Sequence, residues 1–446
     1  MRPQPTAPAP RPRSVRTRGG QALATGLGLG LLITVSACGN GDGTASTASS
    51  PAASGTSPTA SGSASPSGSG SAGASVTATR KATVAPPPVK PTTKAPASCV
   101  DRTASAMSDA QRVGELFMSA VSSTGLTSAE STAITRGRVG SVILMGHTSA
   151  GAAAVKAVTD KVRALAPSVH GAKVGLLIST DQEGGKVQVL NGPGFSAMPA
   201  AVTQGQWSTG TLRSSATTWG RQLRAAGVNM NLAPVADTVP SDLVSVNAPI
   251  GQLDREYGND PATVASHSTA FLQGMLKAGV VPTAKHFPGL GRVRGNTDLA
   301  ANVKDTVTTR DDAYLQPFRS AVKAGTPFMM VSSAIYTRID PARQAAFSSI
   351  VIRDMLRGSL GFKGAVISDD LGQAVAVADH TPAQRALDFI RAGGNVLLTV
   401  KPSDIVPMTG AVLSRLPHDS ALRADVTDSV KKVLTAKHDA GLLSCS

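Results

Sequence analysis

From residue 100 onward the chain alternates between short, unbroken apolar runs and longer stretches whose apolar positions recur at helical spacing. Runs at 117–119, 140–145, 174–179, 228–233, 280–284, 327–331, 364–367 and 395–398 predict strands. Helices are predicted at 108–116, 152–166, 214–226, 261–278, 315–324, 349–360, 381–392 and 422–440, with Gly227 and Gly279 placed to end two of them. The strand runs are continuously apolar rather than alternating. Strands of that kind are buried on both faces, as in a parallel sheet covered by helices. Eight of them within about 350 residues predict a single folded domain, a (β/α)8 TIM-type barrel. The alternative, an open doubly wound sheet, lacks its usual glycine fingerprint after the first strand.

In a barrel the C-terminal ends of the strands meet on one rim. Asp181, Asp237, Lys285, His286, Ser332 and Asp369 each stand where an apolar run stops. Any one of them alone is most simply a helix cap or a loop carboxylate. Six at one rim point to a site. The run before Lys285 opens into the stretch Lys285 to Asp298, KHFPGLGRVRGNTD, a glycine-rich loop with titratable groups at both ends. Gly289 and Gly291 suggest a phosphate cradle, but no Gly-Lys-Ser/Thr follows.

The first 98 residues have a different texture. Arg2, Arg11, Arg13, Arg16 and Arg18 precede an apolar run at 22–35, too short for a comfortable membrane span. The run ends in Val35-Ser36-Ala37-Cys38-Gly39, which resembles a bacterial lipobox. That resemblance implies a lipoprotein signal peptide over 1–38, lipid attachment at Cys38 and anchorage to the outer face of the cytoplasmic membrane. An ordinary secretory signal with an incidental cysteine is the alternative. Residues 39–98 are Ser, Thr, Ala, Gly and Pro with almost no large apolar side chain, and are expected to form a disordered stalk. The folded domain is then 99–446. Export also removes the reducing environment, so Cys99 and Cys445 are expected to pair as a disulfide; two free thiols are the alternative.

The formal charge of +15 invites a nucleic-acid partner. Residues 1–98 hold nine Lys/Arg and one Asp, leaving 34 basic and 27 acidic residues in the domain. With no basic helix and no interleaved aromatics, nucleic acid is not expected. Aromatic residues make up 3% of the chain, too few for a long stacking groove but enough for a small pocket that grips one sugar by hydrogen bonds. No His/Cys/carboxylate cluster has ligand spacing, so neither metal nor cofactor is expected. The domain is expected to act as a monomer.

Five stretches, in order, resemble glycoside hydrolase family 3, and in particular its bacterial β-N-acetylglucosaminidases. They are Asp181-Gln182-Glu183-Gly184-Gly185-Lys186-Val187, Asn231-Leu232-Ala233-Pro234-Val235-Ala236-Asp237, Arg255-Glu256-Tyr257-Gly258, Lys285-His286-Phe287-Pro288-Gly289, and Leu360-Gly361-Phe362-Lys363-Gly364 with Ser368-Asp369-Asp370-Leu371. The second domain common in the family is not expected, which fits its one-domain branch. The resemblance implies a retaining exo-β-glycosidase with Asp369 as nucleophile and with Asp181, Arg255, Lys285 and His286 holding sugar hydroxyls. Asp370 is expected to point away and make structural bonds. The implied substrate is terminal β-N-acetylglucosamine on cell-wall (peptidoglycan) fragments.

One position departs from the pattern. The β-N-acetylglucosaminidases carry an Asp-Ser-His in the loop after KHFPG, the histidine serving as acid/base; here the loop reads Asn296-Thr297-Asp298. His147 lies in another loop, and His170 precedes a strand and belongs to the opposite face. Three readings stay open: Asp298 is the acid/base, with a raised pKa; the enzyme acts slowly and only on activated leaving groups; or the barrel is a surface muropeptide-binding lipoprotein. A β-glucosidase with the same nucleophile is a further option. Arg292 and Arg294 either meet an anionic substrate group or are plain loop charges.

Overall fold

The computed structural model describes residues 98–445. The predicted signal segment with Cys38, and the predicted stalk up to residue 97, lie outside the described residues. Ser98 already belongs to the fold: it caps α1 (Cys99–Ala106), its Oγ accepting from the N–H of Asp101 at 3.0 Å. Next comes α2 (Asp109–Glu115), which opens with a capping box between Ser108 and Gln111.

Eight strands follow: β1 (Phe117–Ser122), β2 (Ser141–Met145), β3 (Leu177–Thr180), β4 (Met230–Asn231), β5 (Val281–Phe287), β6 (Phe328–Val331), β7 (Ala365–Ser368) and β8 (Leu397–Thr399). Their order in the sheet is β7-β6-β5-β4-β3-β2-β1-β8, and every neighbouring pair is parallel. A parallel bridge from Ile367 to Val396 joins the two ends of the sheet and closes the barrel. Between strands run α3 (Ser128–Gly137), α4 (Gly151–Arg163), α5 (Thr209–Ala225), α6 (Pro261–Lys277), α7 (Gln316–Lys323), α8 (Ile350–Ser359) and α9 (Pro382–Ala392); α10 (Ile405–Arg415) and α11 (Ser420–Asp439) follow β8. The architecture is the expected (β/α)8 barrel.

The unbroken apolar runs have a direct cause. Successive side chains on a strand face opposite ways. Met118, Ile143, Leu177, Met230, Phe328, Met330 and Ile367 pack into the barrel interior, while Phe117, Val142, Leu144, Ile178, Met329 and Val366 pack outward against the helices. Both faces are dry, so both must be apolar.

The structure differs from expectation in three places. The run 174–179 is not one strand: Ala172–Val174 pairs antiparallel with Leu443–Cys445, and β3 begins only at Leu177. The break comes at Gly175, whose N–H donates to Leu442 O at 2.7 Å and holds the chain to the C-terminal strand. Helices α1, α3 and α10 were not anticipated; α3 buries only Ala133, Ile134 and Gly137, too weak a stripe to be seen. The predicted helix at 349–360 forms as α8, a wide π-type helix.

Both ends of the domain meet under the barrel. Val433 and Ala436 of α11 join the interior cluster and plug its N-terminal mouth. Cys99 and Cys445 are joined by a disulfide. Beside it Lys437 Nζ contacts Glu115 Oε2 at 2.6 Å with almost no solvent on either side chain. The pairs Arg423–Asp109 and Lys431–Asp101 are far more open and contribute little. Removing one member of the buried pair leaves an uncompensated charge in the dry interior. Lys437→Ala is therefore expected to destabilise the domain by about 3 to 5 kcal/mol, read as a lower urea midpoint; a midpoint equal to wild type would refute this.

Candidate active site

At the C-terminal end of the barrel lies a cavity of about 480 Å³. Its floor is the top interior layer, with Ile143, Leu232, Met330 and Leu398. Asp181, Arg255, Lys285, His286, Asp298 and Asp369 all line it. Side chains separated by up to 188 positions in the chain thus share one hollow, because each lies at the end of a barrel strand or in the loop beyond one.

Two asparagines and an aspartate hold these groups in place. Asn231, at the end of β4, accepts from Gln182 N–H and donates to Gln182 O, both at 3.0 Å, which fixes the backbone between Asp181 and Glu183. Asn247 donates to Leu290 O and Val293 O and accepts from Ile250 and Gly251 N–H, tying the Arg255 loop to the loop after β5. Asp237 is wholly buried; its Oδ2 meets His286 Nδ1 at 2.7 Å, while Oδ1 accepts from His286 and Leu290 N–H. The rim position expected for Asp237 is therefore corrected: it orients His286 from beneath and does not face the cavity. Ser332 is corrected likewise, since it is buried against the Tyr336 hydroxyl at 2.9 Å.

Glu183 had no role assigned from sequence, although it lies in the first matching stretch. It is the hub of the site. Arg255 grips it with two bonds, Nε to Oε2 at 2.8 Å and Nη2 to Oε1 at 2.7 Å. Lys285 Nζ lies 2.7 Å from Glu183 Oε1 and 2.5 Å from Asp181 Oδ1. Burial alone would push the Glu183 carboxyl up, but the charges of Arg255 and Lys285 prevail and hold it at about 2. Lys285 is raised by the converse balance: burial opposes its charge, and Asp181 and Glu183 outweigh it. The signal for Glu183 was the Gly184-Gly185 pair after it. Both have positive φ, and a Cβ on Gly184 would stand 2.2 Å from Pro199 O. Only glycine permits the turn that keeps Glu183 inside.

Asp369 follows β7, anchored by its N–H to Val331 O at 3.0 Å. Asp370 makes the structural bonds expected of it, its carboxylate accepting from the N–H groups of Gly372, Gln373, Ala374 and Val400, but it was expected to point away and instead also borders the cavity. Burial nevertheless raises its pKa, those N–H bonds opposing and Asp369 adding to the rise.

Asp298 sits on a turn in which Asn296 Oδ1 accepts its N–H at 2.9 Å. The carbonyls of Thr297 and Asp298 accept from Ala376 and Val375 N–H at 3.0 and 3.3 Å, so the turn is fastened to the segment after Asp369. Its pKa is pushed up to about 6, by crowding of protein around it and then by the charges of Asp369 and Asp370. The residue is also exposed to solvent, because the wall it belongs to borders an open cavity. A ligand that displaced water there would raise it further.

His147 lies in another loop, as expected, but that loop reaches the same cavity, and its Nδ1 is 3.2 Å from Gln188 O. His170 lies by the Ala172–Val174 strand, on the opposite face. Arg292 and Arg294 do not line the cavity. Arg292 pairs with Asp312 at 2.6 Å and lies over the Tyr314 ring, and Arg294 is exposed.

Residues 110–436 match the model of the glycosyl hydrolase family 3 N terminal domain. The chain belongs to that family. A β-hexosaminidase of Xanthomonas campestris pv. campestris (strain B100) is 31% identical over 318 residues, covering 69% of this chain and 91% of its own. One from Alkalilimnicola ehrlichii is 34% identical over 313 residues, or 68% of this chain and 85% of its own. Among solved structures, the β-N-acetylhexosaminidase of Beutenbergia cavernae is 46% identical, with a TM-score of 0.73 over 74% of this chain and 99% of that one. This family 3 barrel carries the charged network together with a carboxylate at position 298.

The network yields a prediction. Glu183→Gln keeps the shape but removes the charge that holds Arg255 and Lys285. Binding of N-acetylglucosamine by calorimetry should weaken at least about tenfold. Stability should lose its Glu183 share too. With a pKa lowered from 4.5 to about 2, that share is present above pH 4.5 and lost as pH falls towards 2, so wild type should lose more stability than the variant over this acid range.

Proposed function

We propose that this family 3 glycoside hydrolase is a retaining exo-β-glycosidase that releases terminal β-N-acetylglucosamine, with Asp369 as nucleophile and Asp298 as acid/base. The observation that carries the reading is the single cavity that gathers Asp369, Asp298 and the Asp181–Lys285–Glu183–Arg255 network. Its size suits one sugar ring and part of a second, and the relatives that match across nearly their whole length are named β-hexosaminidases.

The chemistry runs in two displacements. In the first, the Asp369 carboxylate attacks C1, the bond from C1 to the leaving oxygen breaks, and Asp298 gives that oxygen its proton. A glycosyl ester on Asp369 and a free alcohol result. In the second, the Asp298 carboxylate takes a proton from water, the water oxygen attacks C1, and Asp369 leaves as carboxylate. Asp181 accepts hydrogen bonds from sugar hydroxyls; Arg255, Lys285 and His286 supply donors.

A pKa near 6 makes Asp298 mostly protonated at pH 5 and mostly ionised at pH 7. Turnover of an unactivated disaccharide should therefore fall as pH rises through about 6. Asp298→Ala should lose about 10²- to 10⁴-fold in kcat on that substrate and lose the basic limb of the profile. A far smaller loss is expected on an aryl glycoside with a good leaving group. Asp369→Ala should abolish turnover of both, and a fluoro-glycoside should label Asp369 in wild type. Tight sugar binding with no turnover of any substrate would instead favour a muropeptide-binding role, the reading favoured by the missing loop histidine. Aryl β-glucosides turned over faster than aryl β-N-acetylglucosaminides would make it a β-glucosidase.

Cell-wall fragments are proposed as the source of the sugar. Support comes from the sequence: a basic segment, a short apolar run and Cys38 in a lipobox-like setting imply a lipid-anchored protein at the outer face of the cytoplasmic membrane. Cys38→Ser should shift the protein from the membrane pellet to the soluble fraction; an unchanged distribution would remove the anchor.

A further inference from the structure

Leu299 follows Asp298 and is 79% exposed. The other exposed large apolar residues among the described ones, Val246, Leu276, Val307, Val375 and Val406, reach at most 48%. Scattered apolar residues on a surface need no explanation, but Leu299 differs in two respects. It lines the sugar cavity, which none of the other five does. It is also not on a loose loop tip. Asn296 O accepts from both Leu299 N–H and Ala300 N–H, at 3.1 and 2.9 Å, and the two preceding carbonyls are fastened to Val375 and Ala376. A bare leucine on a pinned turn keeps its apolar surface in water until something covers it.

The position suggests what covers it. If Asp298 protonates the leaving oxygen, as proposed above, its carboxyl faces the bond to be broken. The sugar that keeps C1 lies deeper, over Asp369 and the Asp181–Lys285 network. Leu299, at the open edge beside Asp298, then borders whatever sits beyond that bond. We propose that Leu299 is the apolar wall of a leaving-group subsite, packing against the C–H face of a second pyranose ring. The inference rests on the reading of Asp298 as the group facing the scissile bond. A pyranose offers such a face, since its hydroxyls point outward around the ring while C–H groups cover its flat sides. Because the turn is held before any ligand arrives, contact costs little ordering of the protein.

The test compares binding of two probes to the full chain by calorimetry: N-acetylglucosamine, and a sulfur-linked disaccharide of two N-acetylglucosamine units, which is not cleaved. The quantity read is the preference for the disaccharide over the monosaccharide. Wild type should show a clear preference. Leu299→Ser, a change at an exposed site that the fold tolerates, should reduce it about fivefold, the value expected for losing a few tens of Å² of apolar contact. Leu299→Met should retain it. An unchanged preference in Leu299→Ser, within twofold, would overturn the subsite, as would a wild type with no preference. If wild type hydrolyses nothing but Leu299→Ser still lowers the preference, the hydrolytic reading falls, and Leu299 stands as the wall of a second-sugar site but not of a leaving-group subsite. Normal hydrolysis with an unchanged preference would do the opposite, sparing the hydrolytic reading and removing the subsite.

Discussion

Glu183 shared between two cations is the constraint on which the sugar site depends. Lys285 comes from β5, Arg255 from the loop after β4, and they carry like charges; brought together in a dry space they would repel. A carboxylate between them, bonded to both, lets them stand side by side. Asp181, the carboxylate more open to solvent, is then drawn onto Lys285 from above. One anion below and one at the surface leave a plane of fixed donors and acceptors on which a polyol can settle without reorganising its host. The network is a poor source of stability in itself, because its desolvation is costly. Its role is to keep charges aimed where a folded chain would otherwise not leave them.

Much of the fold was legible in the sequence because barrel strands have two dry faces and so announce themselves as unbroken apolar runs. The runs also end where chemistry starts, which is why Asp181, Lys285, His286 and Asp369 could be named from sequence and lie together in one cavity. The same rule misplaced Asp237 and Ser332. A polar residue at the end of a strand can turn inward as readily as outward, and the sequence does not encode which. Glu183 was hidden for the opposite reason: it lies past the strand end, and only the paired glycines after it signal a turn tight enough to fold it back. Helix α3 escaped because it buries only a few small or scattered side chains, whereas α10, with Ile405, Met408, Thr409 and Val412 at helical spacing, was legible but not predicted.

The loop after β5 illustrates a different limit. An aspartate where the resemblance implies a histidine leaves the sequence open between a proton donor, a weakened enzyme and a sugar binder. In space Asp298 has gained neighbours that suit a proton donor: Asp369 and Asp370 nearby, protein crowded around it, and a backbone fastened on both sides. A carboxyl and an imidazole reach a similar working range from opposite directions, the first by being pushed up and the second near its ordinary value.

The disulfide and the buried Lys437–Glu115 pair gather both ends of the described domain at the pole of the barrel sealed by α11, while the sugar cavity opens at the other pole. Changes at Cys99, Cys445 or Lys437 therefore act on the seal of the barrel without touching any group that lines the cavity.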